Sequence, residues 1–349
     1  MVSQPAQFQD SWLSYCGAVA GVLTALGAPC DPADVAGYAG LAFLTNTTEG
    51  WTDPGSPTLH SGNVARTSET VVALWAEMTR GVEALGAHME HFWDPEQYRF
   101  WKELPDDQRA RARRLYERVR HSTAAGRPVV VWGLAVPEYG IVNGCDDEHY
   151  HVSTFRRHVG QPDDPIRWEA LQAKGGLEAL FCEPAPSTTP DDRAALRRAV
   201  GLGRGAMGPI AFDTPGHPIR ERQRYITGPA AYEEWARTLE AGVKGTLFYE
   251  YNSYNAACLH AAKHAAATFL ARLAERHAGR AQAQHMRQAA QAYDLAEAEL
   301  RGLTQLCPYA ESGDLSPAQC RQGAEQLRAA RPHEETALAH LERALAEWA

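Results

Sequence analysis

Asp10-Ser11-Trp12-Leu13-Ser14-Tyr15-Cys16-Gly17-Ala18-Val19-Ala20-Gly21-Val22-Leu23 is the stretch on which the reading of this chain turns. From Cys16 the residues are small, apolar and compatible with a helix, and the run reaches Leu26 before Gly27 and the turn Ala28-Pro29 stop it. A cysteine on the first turn of a helix meets unpaired backbone N–H groups and the positive end of the helix dipole, and both stabilise a thiolate. Cys16 is therefore the candidate nucleophile, and Trp12 beside it a candidate substrate contact.

Outward from that helix the first half mixes helical and strand signals. A short helix is expected over 33–38, a long Gly/Pro/Ser/Thr-rich binding loop over 45–63, a helix over 68–85 and a strand over 88–93. Residues 95–120 read as helical with a break near Pro105, and 128–134, 139–144, 149–155 and 177–183 read as strands. Pro184-Ala185-Pro186-Ser187-Thr188-Thr189-Pro190 has the composition of a linker. Beyond it, Ala, Leu, Glu and Arg at helical spacing predict helices over 191–206, 229–242, 255–278, 281–307 and 317–348. The expected organisation is α+β: a mixed domain over 1–186 and an all-α helical domain over 187–349.

Composition narrows the function. A formal charge of −9 with scattered arginines argues against nucleic acid and anionic membranes as partners. The basic run from Arg109 to Arg120 is interleaved with Asp106, Asp107 and Glu117 and reads as a solvated helix face. No apolar run approaches the ~18 residues of a membrane span. The start lacks a basic segment followed by an apolar one, and the seven cysteines are unpaired in spacing, so a cytoplasmic protein with reduced thiols is expected.

Two stretches together carry a resemblance. Tyr15-Cys16-Gly17-Ala18-Val19-Ala20-Gly21-Val22-Leu23-Thr24-Ala25-Leu26-Gly27 is one. The other is Gly126-Arg127-Pro128-Val129-Val130-Val131-Trp132-Gly133, continued by Pro137-Glu138-Tyr139-Gly140-Ile141-Val142-Asn143-Gly144-Cys145-Asp146-Asp147. They resemble the papain-like C39 peptidase group and, more closely, the N-terminal domain family of the butirosin-biosynthesis acyltransferase. The resemblance implies a papain-like fold, a helix packed on a small antiparallel sheet, with the helix opened by a cysteine. A strand bearing His-x-Val-Val-x-x-Gly-Tyr-Asp would supply the histidine, and an acid would follow on the next strand. Carried over, Cys16 takes the nucleophile position, Glu138 falls where the histidine stands, and the acid position falls near Thr154. Gln9 takes the place of an oxyanion-hole glutamine. The helical half resembles the region appended in bacterial relatives, with Tyr254 and Asn255 as substrate-binding candidates.

Glu138 departs from the pattern in a way that matters. An imidazolium lowers the pKa of a neighbouring thiol, whereas a carboxylate raises it. Glu138 would then serve as general base or as anchor for an amine. The resemblance register puts residue 154 on the site face and turns His149 and His151 away, while His60, His88 and His91 are further histidines that could approach.

Other motifs point elsewhere. Gly203-Arg204-Gly205-Ala206-Met207-Gly208 lacks the preceding strand and following helix of a dinucleotide fingerprint. His260 and His264 share a helix face at i, i+4 but lack the glutamate of zinc hydrolases, and His217 sits in a turn-rich loop. Glu250-Tyr251-Asn252-Ser253-Tyr254-Asn255 reads as the capped entry to a long helix. No cofactor and no metal is called for. The expected activity is cysteine-dependent acyl transfer, or amide or thioester hydrolysis, on a small molecule or peptide, with a carrier-bound acyl donor as one partner. The alternatives are an inactive papain-like protein binding its small-molecule or peptide ligand in the same cleft, and a scaffold whose long helices form a homodimer or dock a partner.

Overall fold

The computed structural model describes residues 4–48, 78–94, 104–134, 136–173, 176–185, 189–205, 210–211, 224–242, 246–309 and 313–348. The expected loop over 49–63 with His60, the helix start at Ser68, the segment from Pro95, the end of the Gly203–Gly208 motif and the His217 loop lie outside the described residues. In chain order the first elements are α1 (Ser14–Ala25), α2 (Pro32–Ala39), β1 (Asn46–Thr48), β2 (Ala87–Asp94), α3 (Asp106–Ala124) and β3 (Val129–Trp132). β4 (Tyr139–Cys145), β5 (His149–Thr154), β6 (Ile166–Arg167), β7 (Leu177–Pro184), α4 (Asp192–Gly203), β8 (Ile210–Ala211) and β9 (Arg224–Thr227) follow. The remaining helices are α5 (Ala230–Ala241), α6 (Thr246–Arg276), α7 (Ala281–Leu306) and α8 (Pro317–Ala346).

The chain divides into two units, Met1–Val35 with Thr79–Pro190, and Ala36–Met78 with Asp191–Ala349. The first unit is built on a 6-stranded antiparallel sheet in the order β2-β7-β3-β4-β5-β6. Val129, Val130 and Val131 are all fully buried, because β3 is covered on both faces and every side chain meets apolar neighbours. On one face α1 approaches β4 at Gly21, whose missing Cβ would sit 2.7 Å from Ile141 Cδ1. On the other face α3 sets Tyr116 against Tyr150 (5.3 Å between rings) and the Arg118 guanidinium over Phe181.

A strap formed by residues 6–9 crosses α1. The Asn143 side chain accepts from the Ala6 N–H and donates to the Ala6 carbonyl, at 2.8 and 2.9 Å. The Phe8 N–H donates to Ser153 Oγ at 2.9 Å and the Gln9 N–H to the Gly17 carbonyl at 3.1 Å. Gly17 and Gly21 are the reason the strap fits. A Cβ on either would lie 2.4 or 2.1 Å from the carbonyl oxygens of Gln9 and Gln7.

The second unit is not purely helical as expected, since β1, β9 and β8 form a 3-stranded antiparallel sheet beside its helices. β1 comes from the first half of the sequence but pairs with β9, which is why a single boundary at 186/187 does not describe the units. Tyr232, Trp235 and Leu239 of α5 pack with Leu259 of α6, Leu300 and Leu303 of α7, and Leu327 of α8. At the start of α8, Ser316 and Gln319 cap each other and Pro317 takes a position where no N–H is needed.

The core of this unit also holds a charge pair. Lys263 Nζ donates to Glu334 Oε1 at 2.9 Å and to Thr45 Oγ1 at 2.8 Å, with both ionic side chains fully buried. Tyr232 and Thr45 donate their hydroxyls to the same carboxylate. Burial pushes the Lys263 ammonium toward losing its proton, and Glu334 pulls it back.

His260, one of the i, i+4 histidines, lies 2.5 Å from Glu297 rather than sharing a ligand with the exposed His264. Burial holds the His260 imidazole below its ordinary pKa, with Glu297 opposing. The unfolded chain then binds more protons, so this contribution is fully present above pH ~6.5 and is lost as the pH falls through the lower folded value. Urea denaturation at pH 7.5 and 5.5 is expected to show a loss on acidification that His260→Gln reduces.

Candidate functional site

Leu13 caps α1 with no side-chain hydrogen bond, and its carbonyl accepts the N–H groups of Cys16 and Gly17 at 2.8 and 3.1 Å. Ser14 is the first helical residue. Its hydroxyl donates to Glu138 Oε2 at 2.5 Å and accepts the backbone N–H of Tyr139 at 3.2 Å. Glu138 is placed by the turn from β3 to β4. There Gly133, at φ +82°, donates its N–H to the Glu138 carbonyl, and a Cβ on Gly133 would lie 2.5 Å from the Ala173 nitrogen. Ser14 and Glu138 are 5% and 8% exposed.

A second carboxylate continues the arrangement. Strand register places Trp93, Glu178, Trp132 and Tyr139 on the α1 face, since Glu178 pairs with Trp93, Ala179 with Val131, and Trp132 with Tyr139. The Tyr139 hydroxyl donates to Glu178 Oε2 at 2.8 Å, and His91 Nε2 lies 2.7 Å from Glu178 Oε1. Glu178 is fully buried, whereas the His91 side chain keeps 23% of its exposure. Tyr15 meets the Tyr139 ring edge-on at 5.5 Å. Tyr139 thus touches the surroundings of both carboxylates, its hydroxyl bonded to Glu178 and its backbone N–H to Ser14.

The expected nucleophile is elsewhere. Residues two apart on a helix point about 200° from each other, so Cys16 turns away from the side on which Ser14 meets Glu138. Cys16 is fully buried, and burial, with Cys30 adding to it, pushes its thiol far above the ordinary range. Desolvation outweighs the helix-end effect that made Cys16 attractive. Iodoacetamide at pH 8 is therefore expected to leave Cys16 unmodified in native protein and to label it only in denaturant, read by peptide mass spectrometry.

Gln9, the expected oxyanion-hole glutamine, is engaged within the fold. Its side-chain amide donates to Thr24 Oγ1 and to the Cys30 carbonyl, both at 3.1 Å. Thr24 lies eight residues beyond Cys16, about 12 Å along the helix. Trp12 packs edge-on against Phe155 and His158, at 5.7 and 4.7 Å. Thr154 is on the other side of the sheet from α1. Ser153 pairs with Ile141 and receives the Phe8 N–H, while Tyr150, two pleats from Thr154, packs on α3. Thr154 instead donates its hydroxyl and N–H to Asp163. His149 and His151 pair with Asp146 and His88 with Glu83.

In the second unit, Tyr254 and Asn255 sit inside α6 rather than at its start, because the helix begins at Thr246. Tyr254 packs near Tyr309 at 6.0 Å. Asn255 is 2% exposed and its amide atoms meet no hydrogen-bond partner among the described residues, while Asn252 accepts the Trp235 indole N–H at 2.7 Å.

Sequence reasoning missed Ser14, Tyr139 and Glu178. The available signal for Glu178 was a lone carboxylate in the otherwise apolar strand Leu177-Glu178-Ala179-Leu180-Phe181-Cys182, where an acid is costly unless it has a structural or chemical task. Comparison with known proteins returned no matching family model and no matching curated sequence. No helix among the described residues is long and apolar enough to cross a membrane.

Proposed function

We propose that the first unit catalyses acyl transfer, or hydrolysis of an amide or thioester, with Ser14 as nucleophile and Glu138 as general base. The observation that carries this reading is the 2.5 Å hydrogen bond from the Ser14 hydroxyl to Glu138 at the first residue of α1. In the first step Glu138 takes the hydroxyl proton as Ser14 Oγ bonds to the substrate carbonyl carbon. The oxyanion lies at the N-terminal end of α1, where the helix dipole places partial positive charge, the Cys16 and Gly17 N–H groups themselves serving the Leu13 carbonyl. Collapse expels an amine or thiol, which takes the proton from Glu138, and leaves a serine ester. An amine or water then gives its proton to Glu138 as it attacks the ester carbonyl, and collapse breaks the bond to Ser14 Oγ, which takes the proton back from Glu138. The tethering of Tyr139 by Glu178 fixes the N–H that orients the Ser14 hydroxyl.

The α1-on-antiparallel-sheet arrangement supports a papain-like layout in which the reacting side chain is displaced from Cys16 to Ser14. The substrate classes in keeping with this reading are small molecules or peptides, with a carrier-bound acyl donor. A second reading, a non-catalytic ligand-binding descendant of the same layout, draws on the burial of Ser14 and Glu138.

A fluorophosphonate probe separates the two. Catalysis predicts phosphonylation at Ser14, abolished by Ser14→Ala, slowed about 100-fold by Glu138→Gln in line with loss of general-base assistance, and kept in Cys16→Ala. An unlabelled Ser14, with Ser14→Ala lowering only thermal stability, would leave the binding reading in place.

A further inference from the structure

α7 and α8 form an antiparallel hairpin whose register can be followed contact by contact. His285 meets His340, a Cβ on Gly323 would lie 3.0 Å from Leu303 Cδ1, and Gln319 Nε2 donates to the Leu306 carbonyl at 3.3 Å. Each advance along α7 is matched by a like retreat along α8, as antiparallel packing requires. One turn beyond Leu303 and one turn before Gly323, the same register sets Cys307 against Cys320. Cys307 is the residue at which α7 ends, and Cys320 lies on the first turn of α8. Both are buried and both are free thiols. They also face the same way. Cys307 shares an apolar core with Leu303, Ala324 and Leu327, and those last two lie one and two turns beyond Cys320 on one stripe of α8. Each sulfur has a carbonyl of its own segment as partner, Leu303 for Cys307 at 3.3 Å and Leu315 for Cys320 at 3.9 Å. Such S–H contacts are weak and cost little to give up. The backbone at Cys307 has left the helix, which lets it settle at the Cα spacing of about 4.4–6.8 Å that a disulfide needs.

We propose that Cys307 and Cys320 are a dithiol that a small disulfide of the glutathione disulfide class oxidises, pinning the end of α7 to the start of α8. The Cys320 thiolate attacks one sulfur of the oxidant, breaking its S–S bond and releasing one small thiol. The Cys307 thiolate then attacks Cys320 in the mixed disulfide and releases the second small thiol. Two protein thiols are oxidised, the oxidant is reduced to two thiols, and these carry the two protons given up by the cysteines. Cys320 reacts first, because opening of a terminal helical turn exposes it while Cys307 stays in the core. Burial raises both thiols, and at Cys320 the Arg321 guanidinium opposes that rise. The pair lies in the second unit and does not depend on the Ser14 chemistry.

The test is incubation of the native full chain with glutathione disulfide, blocking of the remaining thiols with N-ethylmaleimide, and mapping of unreduced peptides by mass spectrometry. A linked Cys307–Cys320 pair is expected, two hydrogens lighter and restored to thiols by dithiothreitol. In urea, oxidation should lower the unfolding constant of the second unit about 100-fold, the order expected for closing a loop of about 15 residues. That shift should vanish in Cys307→Ala and in Cys320→Ala, with circular dichroism checking that each variant is folded. The peptide map of the unaltered chain decides the matter even if a variant does not fold. Separate glutathione adducts on the two cysteines, a link from either to another cysteine, or a link that forms only in denaturant would overturn the proposal.

Discussion

Glu334→Leu is expected to destabilise the second unit by about 3–5 kcal/mol, the usual cost of stripping one partner from a buried ion pair. Lys263 is fully buried and would keep Thr45, the Ala42 carbonyl and the face of the Tyr293 ring around its ammonium group, with no carboxylate to balance its charge among these partners. The hydroxyls of Tyr232 and Thr45 would lose their shared acceptor as well. Lys263→Met should cost a similar amount, since it leaves the carboxylate without its cation. The double variant should recover much of the loss, because apolar replacements remove the desolvation penalty together with the attraction. Urea denaturation of the four proteins gives the coupling energy directly. Strictly additive losses would mean that Lys263 and Glu334 do not act as a pair.

Gly21→Ala is expected to destabilise the first unit by about 2–3 kcal/mol, against the direction of helix propensity. Propensity alone favours alanine over glycine by about 1 kcal/mol inside a helix. Here the added methyl would stand 2.1 Å from the Gln7 carbonyl oxygen and 2.7 Å from Ile141 Cδ1. The first obstacle is backbone, so the strap over residues 6–9 must lift, and its hydrogen bonds to Asn143 and Ser153 are each worth about 1 kcal/mol. Overpacking of this size outweighs the propensity gain. A lower melting temperature and faster proteolysis near the N-terminus are the readouts. A neutral or stabilising result would show that the strap does not lie on α1 in solution.

The sequence reading recovered most elements for physical reasons that can be named. The continuous apolar run at Val129–Trp132 could only be a strand covered on both sides, and the alanine- and leucine-rich stretches beyond residue 190 had few alternatives to helices. It did not recover β1, whose three residues Asn46-Thr47-Thr48 have no periodicity to read and are organised by β9, nearly 180 residues later. The site was half legible. Glu138 emerged from the comparison of motifs, but its partner was assigned as Cys16 because a thiol draws attention at a helix start. Which of Ser14 and Cys16 faces the sheet depends on helix phase, set by tertiary packing of Gly17 and Gly21 under the strap. Buried networks such as Tyr139–Glu178–His91 join three strands whose order, β2-β7-β3-β4, local sequence does not encode.

The discontinuity of the second unit has a consequence for how the protein must be made. Ala36–Thr48 leave the ribosome early, yet the strand that pairs with them and the helices bearing Lys263 and Glu334 follow only after most of the first unit has been synthesised. The first unit can close its sheet around α1 once Pro190 has emerged. The second must hold an unpaired strand in waiting through that interval, with its polar Asn and Thr residues limiting sticky exposure. A C-terminal fragment cut at the linker would lack Thr45 and β1, so expression of residues 191–349 alone yields a helical remnant without its charge-pair clamp rather than an autonomous domain.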